Sequence, residues 1–235
     1  MQTSELNSTD KWDFRSESIM TGLSETDLQL LTAHKTEKVY RRGEIIYREG
    51  AYPAGIFFIT KGKVKKYKVD KTGKEQIIQV ITTGNLMGYH AVLSENRYPI
   101  SASALEESLV AFIAKEDFLK ALQQSEELNK KLLKTLSTEF AVFANSVSLF
   151  MKNSVRERLA SRLILLHEIY RADQEEGAPV EINMSRDDLA NIVGAARENI
   201  VKELTELKES GIIKTKGRKI TLKDINRLIS ISNRK

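Results

Sequence analysis

The sequence predicts an α+β chain in three parts: an N-terminal antiparallel β jelly-roll, one long helix, and a C-terminal helix-turn-helix with a two-stranded wing. Three observations predict it. Short β-like runs separated by glycine turns fill residues 39–114, the pattern of an antiparallel roll or sandwich. A stripe of large apolar residues at helical spacing then runs through 132–150. Finally, two short helical patterns joined at Gly194 occupy 184–204, with a basic glycine turn behind them. The expected divisions are 1–124 for the roll, 125–152 for the long helix and 153–235 for the helix-turn-helix part.

Composition sets the outer bounds. A chain of 235 residues with 41% hydrophobic and 29% charged residues has room for two cores and reads as an ordinary globular protein. No run approaches the ~18 apolar residues of a membrane span, and the N-terminus lacks a signal-peptide layout, so no membrane partner and a cytoplasmic location are expected. The absence of cysteine excludes disulfides, thiolate zinc sites and cysteine-held iron–sulfur clusters. The formal charge of +5 is uneven: Ala195 to Lys235 carries 11 Lys and Arg against 5 Asp and Glu, which leaves residues 1–194 at −1. A basic C-terminal patch attracts polyanions, of which nucleic acid is the commonest. A solubilising basic tail would also be basic, but here the charges interleave with apolar positions of an ordered pattern.

In chain order, the polar residues 1–20 carry a lone Trp12 and Phe14, expected to pack back on the body. Ser24 with Asp27 caps a short helix ending near Leu31. Strands are expected at Val39–Tyr40, Ile45–Tyr47, Gly55–Thr60, Val64–Val69, Glu75–Ile81, Ser101–Ala104 and Ser108–Ala114, with a hairpin turn at Asp70–Gly73. Phe118 and Leu122 mark a short helix. A long one begins near Ser125, and its Leu132, Leu136, Phe140, Phe143, Val147 and Phe150 form an apolar seam. Such a seam suits a paired helix and hence a two-fold dimer. Asn153-Ser154 caps a further helix with inner face Leu159, Leu163, Leu166 and Ile169–Tyr170, so the joint reads as a hinge. Ala172–Pro179 is an acidic loop, and Val180–Ile182 a brief strand.

Ser185 N-caps the first helix of the pair, and Leu189, Ile192 and Val193 share one face of it. In the second helix Ile200, Leu204 and Leu207 face inward, while Arg197, Glu198 and Lys202 stay outward. Any helical hairpin has a charged face, but in a helix-turn-helix the second helix's N-terminal residues meet base edges. Ile212-Ile213 and Ile220–Leu222 flank the basic segment 214–219, a wing suited to phosphates, and Asp224–Ile231 is a last helix.

This order resembles the Crp–Fnr family of bacterial transcription regulators. The resemblance runs from about Leu23 to about Leu222 and rests on RRGEIIYREG (41–50), GIFFITKGKVKKYKVDKTGKEQIIQVITTGNLMG (55–88), SLVAFIAKEDF (108–118), SRDDLANIVGAARENIVKEL (185–204) and LKESGIIKTKGRKI (207–220). It implies a cyclic-nucleotide-binding-like roll as effector domain and a homodimer on double-stranded DNA, with RNA polymerase a further partner if the chain is an activator. It also implies a DNA-contacting set of Ser185, Arg186, Ala196, Arg197, Glu198, Asn199, Lys202, Lys216, Arg218 and Lys219. In relatives reading TGTGA-type half-sites the second helix opens with Arg-Glu and has a basic residue four places after the Glu. Those places hold Arg197, Glu198 and Lys202 here, which suggests a palindrome of GTGA-like half-sites. Lys202 stands where the type member has Arg and loses the bidentate fork.

The pocket departs from the family pattern. A cAMP-binding roll needs Gly-Glu and, about ten residues on, Arg-Ser to clamp the cyclic phosphate. Here Gly88 is followed by Tyr89-His90, and the Arg-Ser places read Tyr98-Pro99, with Arg97 one place off. Tight cAMP binding is therefore not expected. Gly88, Tyr89, His90, Arg97 and Tyr98 are the candidate lining for an unknown small-molecule effector. With only His34, His90 and His167 in the chain, His90 reads as a packing or surface residue sooner than a haem ligand. No Ser-His-Asp order, metal cluster or phosphate loop points to an enzyme. The competing reading is a ligand-binding regulatory module that acts on a protein partner.

Overall fold

The computed structural model describes residues 18–172, 174 and 178–232, and within the long helix it leaves out the side chains of 145, 146 and 148–152. Trp12, Phe14, most of the acidic loop and the Phe150 side chain lie outside the described residues.

Helix α1 (Glu25–Thr32) opens on Ser24, whose hydroxyl accepts from the Asp27 N–H. Eight strands follow: β1 (Thr36–Tyr40), β2 (Ile45–Tyr47), β3 (Gly55–Lys61), β4 (Lys63–Val69), β5 (Glu75–Thr82), β6 (Leu86–Met87), β7 (Ser101–Ala104) and β8 (Ser108–Ala114). They form two four-stranded antiparallel sheets, ordered β1-β8-β3-β6 and β2-β7-β4-β5. Ile59, Val64, Met87, Ala102 and Val110 fill the space between them. At the β4–β5 turn the Asp70 carboxylate accepts from the Thr72 N–H at 2.8 Å and the Lys74 N–H at 3.0 Å, which fixes the expected hairpin. Between β3 and β4 the chain turns at Gly62 with φ +101°, where a Cβ would lie 2.4 Å from Ser108 Oγ, so only glycine fits. Two elements have no counterpart in the expected list. They are β6 and the one-turn helix α2 (Tyr89–Leu93), both too short to show a period.

Helix α3 (Lys115–Gln124) leads into the long α4 (Glu126–Lys152). Ser125 starts α4, its hydroxyl accepting from the Leu128 N–H at 3.0 Å. Leu128 and Leu132 are buried with Ile56, Ile113 and Phe118 against the roll. This corrects the seam: Leu132 faces inward at 4% exposure, while its neighbour Leu133 is 64% exposed. Taken from Leu133, the positions Leu133, Leu136, Phe140, Phe143 and Val147 advance by 3, 4, 3 and 4, a strict heptad rhythm; four of them are exposed, and Leu136 is half-buried against the roll core. Phe140 and Phe143 are 73% and 57% exposed.

Helix α5 (Val155–Arg171) starts on a capping box between Ser154 and Glu157. Then come β9 (Ile182–Asn183), α6 (Arg186–Val193), α7 (Arg197–Glu209), β10 (Ile213–Lys216), β11 (Lys219–Leu222) and α8 (Ile225–Ile231). The small sheet is ordered β10-β11-β9. Strand β9 falls later than expected because β11 reaches it only at Ile182 and Asn183, and Val180 is buried outside the ladder.

The roll and the C-terminal part share a core. Tyr67, Ile77, Val80 and Leu105 of the roll cluster with Leu163, Ile192, Val193, Ile200 and Leu204. Strand β4 explains how. Lys63, Lys65 and Tyr67 point outward onto the C-terminal part, while Val64 and Lys66 point into the roll, so both faces are covered. Lys65 reaches Asp188 of α6 at 3.0 Å, Arg42 reaches the same carboxylate at 3.3 Å, and the Gln76 amide donates to the Asn191 carbonyl at 2.6 Å.

Candidate nucleic-acid interface and roll pocket

Helix α6 is fixed at both ends. The Ser185 hydroxyl accepts from the Asp188 N–H at 3.0 Å and donates to the Asp188 carboxylate at 2.6 Å. At the far end Gly194 adopts φ 69°, ψ 49°, the left-handed conformation that lets the chain turn between crossed helices. Arg158 of α5 then clamps that turn: Nε donates to the Val193 carbonyl at 3.0 Å and Nη2 to the Gly194 carbonyl at 3.2 Å, while Nη1 holds the Asn153 carbonyl at 2.7 Å. One guanidinium therefore ties the helix-turn-helix to the end of α4. The sequence carried no periodic signal for this.

Helix α7 is anchored by Ile200, Leu204 and Leu207, all buried. Arg197, Glu198, Asn199, Val201 and Lys202 are exposed at its N-terminal end. Val201, at 44% exposure, sits between the predicted residues and was not among them; its position four places after Arg197 is the signal that marks it. Arg197 Nε lies 3.5 Å from the Asp187 carboxylate, with both side chains mostly in water, so the pair is weak. Ala196 holds the N-cap position and makes no side-chain cap bond.

The other predicted contacts divide. Lys216 and Arg218 are exposed on the wing and make no ion pair among the described residues, whereas Lys219 is paired with Glu181. Arg186 turns toward the wing, donating from Nη2 to the Gly217 carbonyl at 3.0 Å. Its Nη1 is buried without a partner, and burial pulls the guanidinium pKa down. Ser185 and Arg186 thus shape the surface that the other residues present.

In the roll, Gly88 N-caps α2. Tyr89 is buried and donates to Glu139 of α4 at 2.8 Å, and His90 Nε2 lies 2.9 Å from the same carboxylate. Tyr98 is buried elsewhere: its hydroxyl donates to the Gly55 carbonyl at 3.1 Å and its ring stacks on Tyr47 with centroids 4.2 Å apart. Burial pushes the Tyr98 phenol up to about 12. Arg97 is exposed, donates to the Gly50 carbonyl at 2.7 Å and lies over the Tyr52 ring. The five predicted pocket residues are therefore not one site. Tyr89 and His90 meet α4, Tyr98 packs the roll, and Arg97 points out.

Two family descriptions match this architecture: the cyclic nucleotide-binding domain over residues 37–125 and the Crp-like helix-turn-helix domain over residues 157–231. The chain belongs to the Crp–Fnr family. It is 27% identical over 211 residues to the anaerobic regulatory protein of Haemophilus influenzae, covering 89% of this chain and 82% of that one. Against the transcriptional activator protein anr of Pseudomonas aeruginosa it is 26% identical over 198 residues, covering 84% and 81%. The structure of FixK2 from Bradyrhizobium japonicum superposes with a TM-score of 0.73 at 25% identity, over 86% of this chain and 98% of that one. The protein is a Crp–Fnr transcription regulator, with a DNA-binding helix-turn-helix and an effector-type roll. No helix among the described residues is long and apolar enough to cross a membrane.

Proposed function

We propose that this Crp–Fnr regulator works in the cytoplasm as a homodimer that reads a palindrome of GTGA-like half-sites with the N-terminal face of α7. The observation that carries the reading is the exposed stripe Arg197, Glu198, Val201 and Lys202, set on a helix whose opposite face is fixed in a core. Arg197 suits guanine O6 and N7 as a fork, Glu198 accepts from cytosine N4, and Val201 fits a thymine methyl. Lys202 takes a further guanine or a phosphate, and Asn199 lies beside the stripe. Lys216 and Arg218 on the wing meet backbone phosphates, while Ser185, Arg186, Ala196 and Lys219 position the helices and wing. The weak Asp187 pair holds Arg197 near its working place and is exchanged for a base with little loss.

The exposed heptad on α4 supports pairing with a second copy, which sets two α7 helices about one DNA turn apart, ~34 Å. An effector acts by shifting the balance between two arrangements of that pair. Cyclic AMP is not that effector, since Arg97 points away from the roll interior and the Tyr47–Tyr98 stack fills it. Where the protein activates, RNA polymerase is its further partner. Selection from random-sequence DNA followed by gel shift tests the reading. Arg197→Ala should lose ~5- to 150-fold in preference for the selected site, from the 1–3 kcal/mol of a bidentate base pair, and keep its salt-dependent background binding. A selected palindrome unrelated to GTGA, or unchanged discrimination in the variant, overturns the base assignments.

A further inference from the structure

Arg158 joins two stretches of backbone that are far apart in sequence. Its Nη1 holds the carbonyl of Asn153, the residue between α4 and Ser154, at 2.7 Å, while Nε and Nη2 hold the Val193 and Gly194 carbonyls at 3.0 and 3.2 Å. The last two lie at the C-terminal end of α6, where carbonyls have no amide of a following turn to accept from and carry the negative end of the helix dipole. The Gly194 and Ala195 N–H groups both return to the Ala190 carbonyl, so the turn is closed by its own amides and held from outside by the Arg158 guanidinium. Arg158 is half-buried, and its planar fork fixes direction as well as distance.

Helix α7 follows α5 beyond the turn as well. Arg156, two residues before Arg158, reaches Glu203 at 3.4 Å and also pairs with Glu206. Ile200 and Leu204 of α7 share a core with Leu163 of α5. The two ends of α6 therefore have different anchors. The roll holds the N-terminal end through Asp188, and Arg158 holds the C-terminal end, from which α7 departs. The angle of that departure is referred to the end of α4.

In a dimer paired along α4, the separation of the two α7 helices depends on this angle in each copy. One added base pair moves a half-site by about 3.4 Å and turns it by roughly 34–36°, from a helical turn of 10–10.5 pairs. A contact geometry has to be held within about 0.5 Å and 10–20° to be productive. An α7 that swings at the turn would meet either spacing. We infer that Arg158 is the positioning residue that fixes the half-site spacing this regulator accepts, while α7 itself reads the bases. The inference rests on the proposed dimer and its palindrome.

The test uses the full chain and a palindrome selected from random-sequence DNA, remade with one base pair added to or removed from its centre. Gel shifts give two ratios for each protein: the affinity lost on changing the spacing, and that lost on changing one half-site base at the original spacing. Wild type should lose ~tenfold or more on a change of spacing, because one half-site falls out of register. Arg158→Lys keeps the charge but offers a point donor in place of the fork, so it should lose less than ~threefold on the same change and keep the wild-type loss for the base change. A merely weakened fold lowers all binding together and leaves both ratios as they were. A spacing loss in Arg158→Lys equal to that of wild type overturns the inference, as does a base-change loss that falls in step with it. If Arg158→Lys and Arg158→Met both lose their cooperative urea transition, Arg158 serves the fold alone and the inference falls. A wild type indifferent to spacing sinks the two-copy reading together with this one, whereas a spacing-sensitive wild type with an equally sensitive variant sinks this one alone.

Discussion

Asp188→Asn perturbs the contact that seats α6 on the roll. The carboxylate is 14% exposed, lies 3.0 Å from Lys65 and 3.3 Å from Arg42, and accepts from the Ser185 hydroxyl at 2.6 Å. At an effective dielectric of ~20, a unit pair at this separation attracts by about 5–6 kcal/mol before desolvation is charged against it. Most of that is offset on burial. Lys65 also keeps Glu75 in the variant, so it is not left uncompensated. The expected loss is therefore about 1–3 kcal/mol at neutral pH, the range for a hydrogen-bonded charged group. Its pH dependence follows from the shift. Burial alone would raise the Asp188 pKa, but Ser185, Lys65 and Arg42 together hold it below its ordinary 3.8. The contribution is thus fully present above about pH 4 and is lost as pH falls through the lower folded value. Urea unfolding followed by circular dichroism, wild type against variant, should show a gap that is steady from pH 7 to about 4 and closes below it. No gap at pH 7, or a gap that widens on acidification, refutes the reasoning.

The two neighbouring leucines of α4 should behave differently. Leu132→Ala opens a cavity against the roll and should lower stability by about 2–5 kcal/mol with the sedimentation behaviour unchanged. Leu133→Glu, on the exposed heptad, should leave monomer stability within ~0.5 kcal/mol and shift sedimentation from dimer to monomer. Calorimetry with cyclic AMP should show no micromolar binding, and a micromolar titration would mean that the Tyr47–Tyr98 stack opens to admit it.

The helix-turn-helix was legible because its signals are local: Ser185 caps, Gly194 turns, and Ile200, Leu204 and Leu207 repeat at helical spacing. The roll was legible for the same reason, from glycine turns between alternating runs. What stayed hidden depends on partners distant in sequence. Leu132 and Leu133 are equally apolar, and only contact with Ile113 and Phe118 decides which one is buried. The run Lys63–Lys66 is three-quarters lysine, yet it is buried: Lys63 and Lys65 meet Tyr170 and Asp188 of the C-terminal part, and Val64 lies in the roll core. The Arg158 clamp joins backbone carbonyls more than 30 residues away, which no periodicity reports. Arg186 and Lys219, expected among the DNA contacts, are engaged within the chain by the Gly217 carbonyl and by Glu181.

The core shared by Tyr67, Ile77, Val80 and Leu105 with α5, α6 and α7 bears on how such proteins can be recombined. Cutting at the Asn153-Ser154 joint and grafting a different C-terminal part would expose apolar surface on both pieces, would take Asp188 from Arg42 and would leave Lys65 with Glu75 alone. A workable chimera must carry the outer face of β4 and β5 with the grafted part, so the unit of exchange is larger than the helix-turn-helix itself.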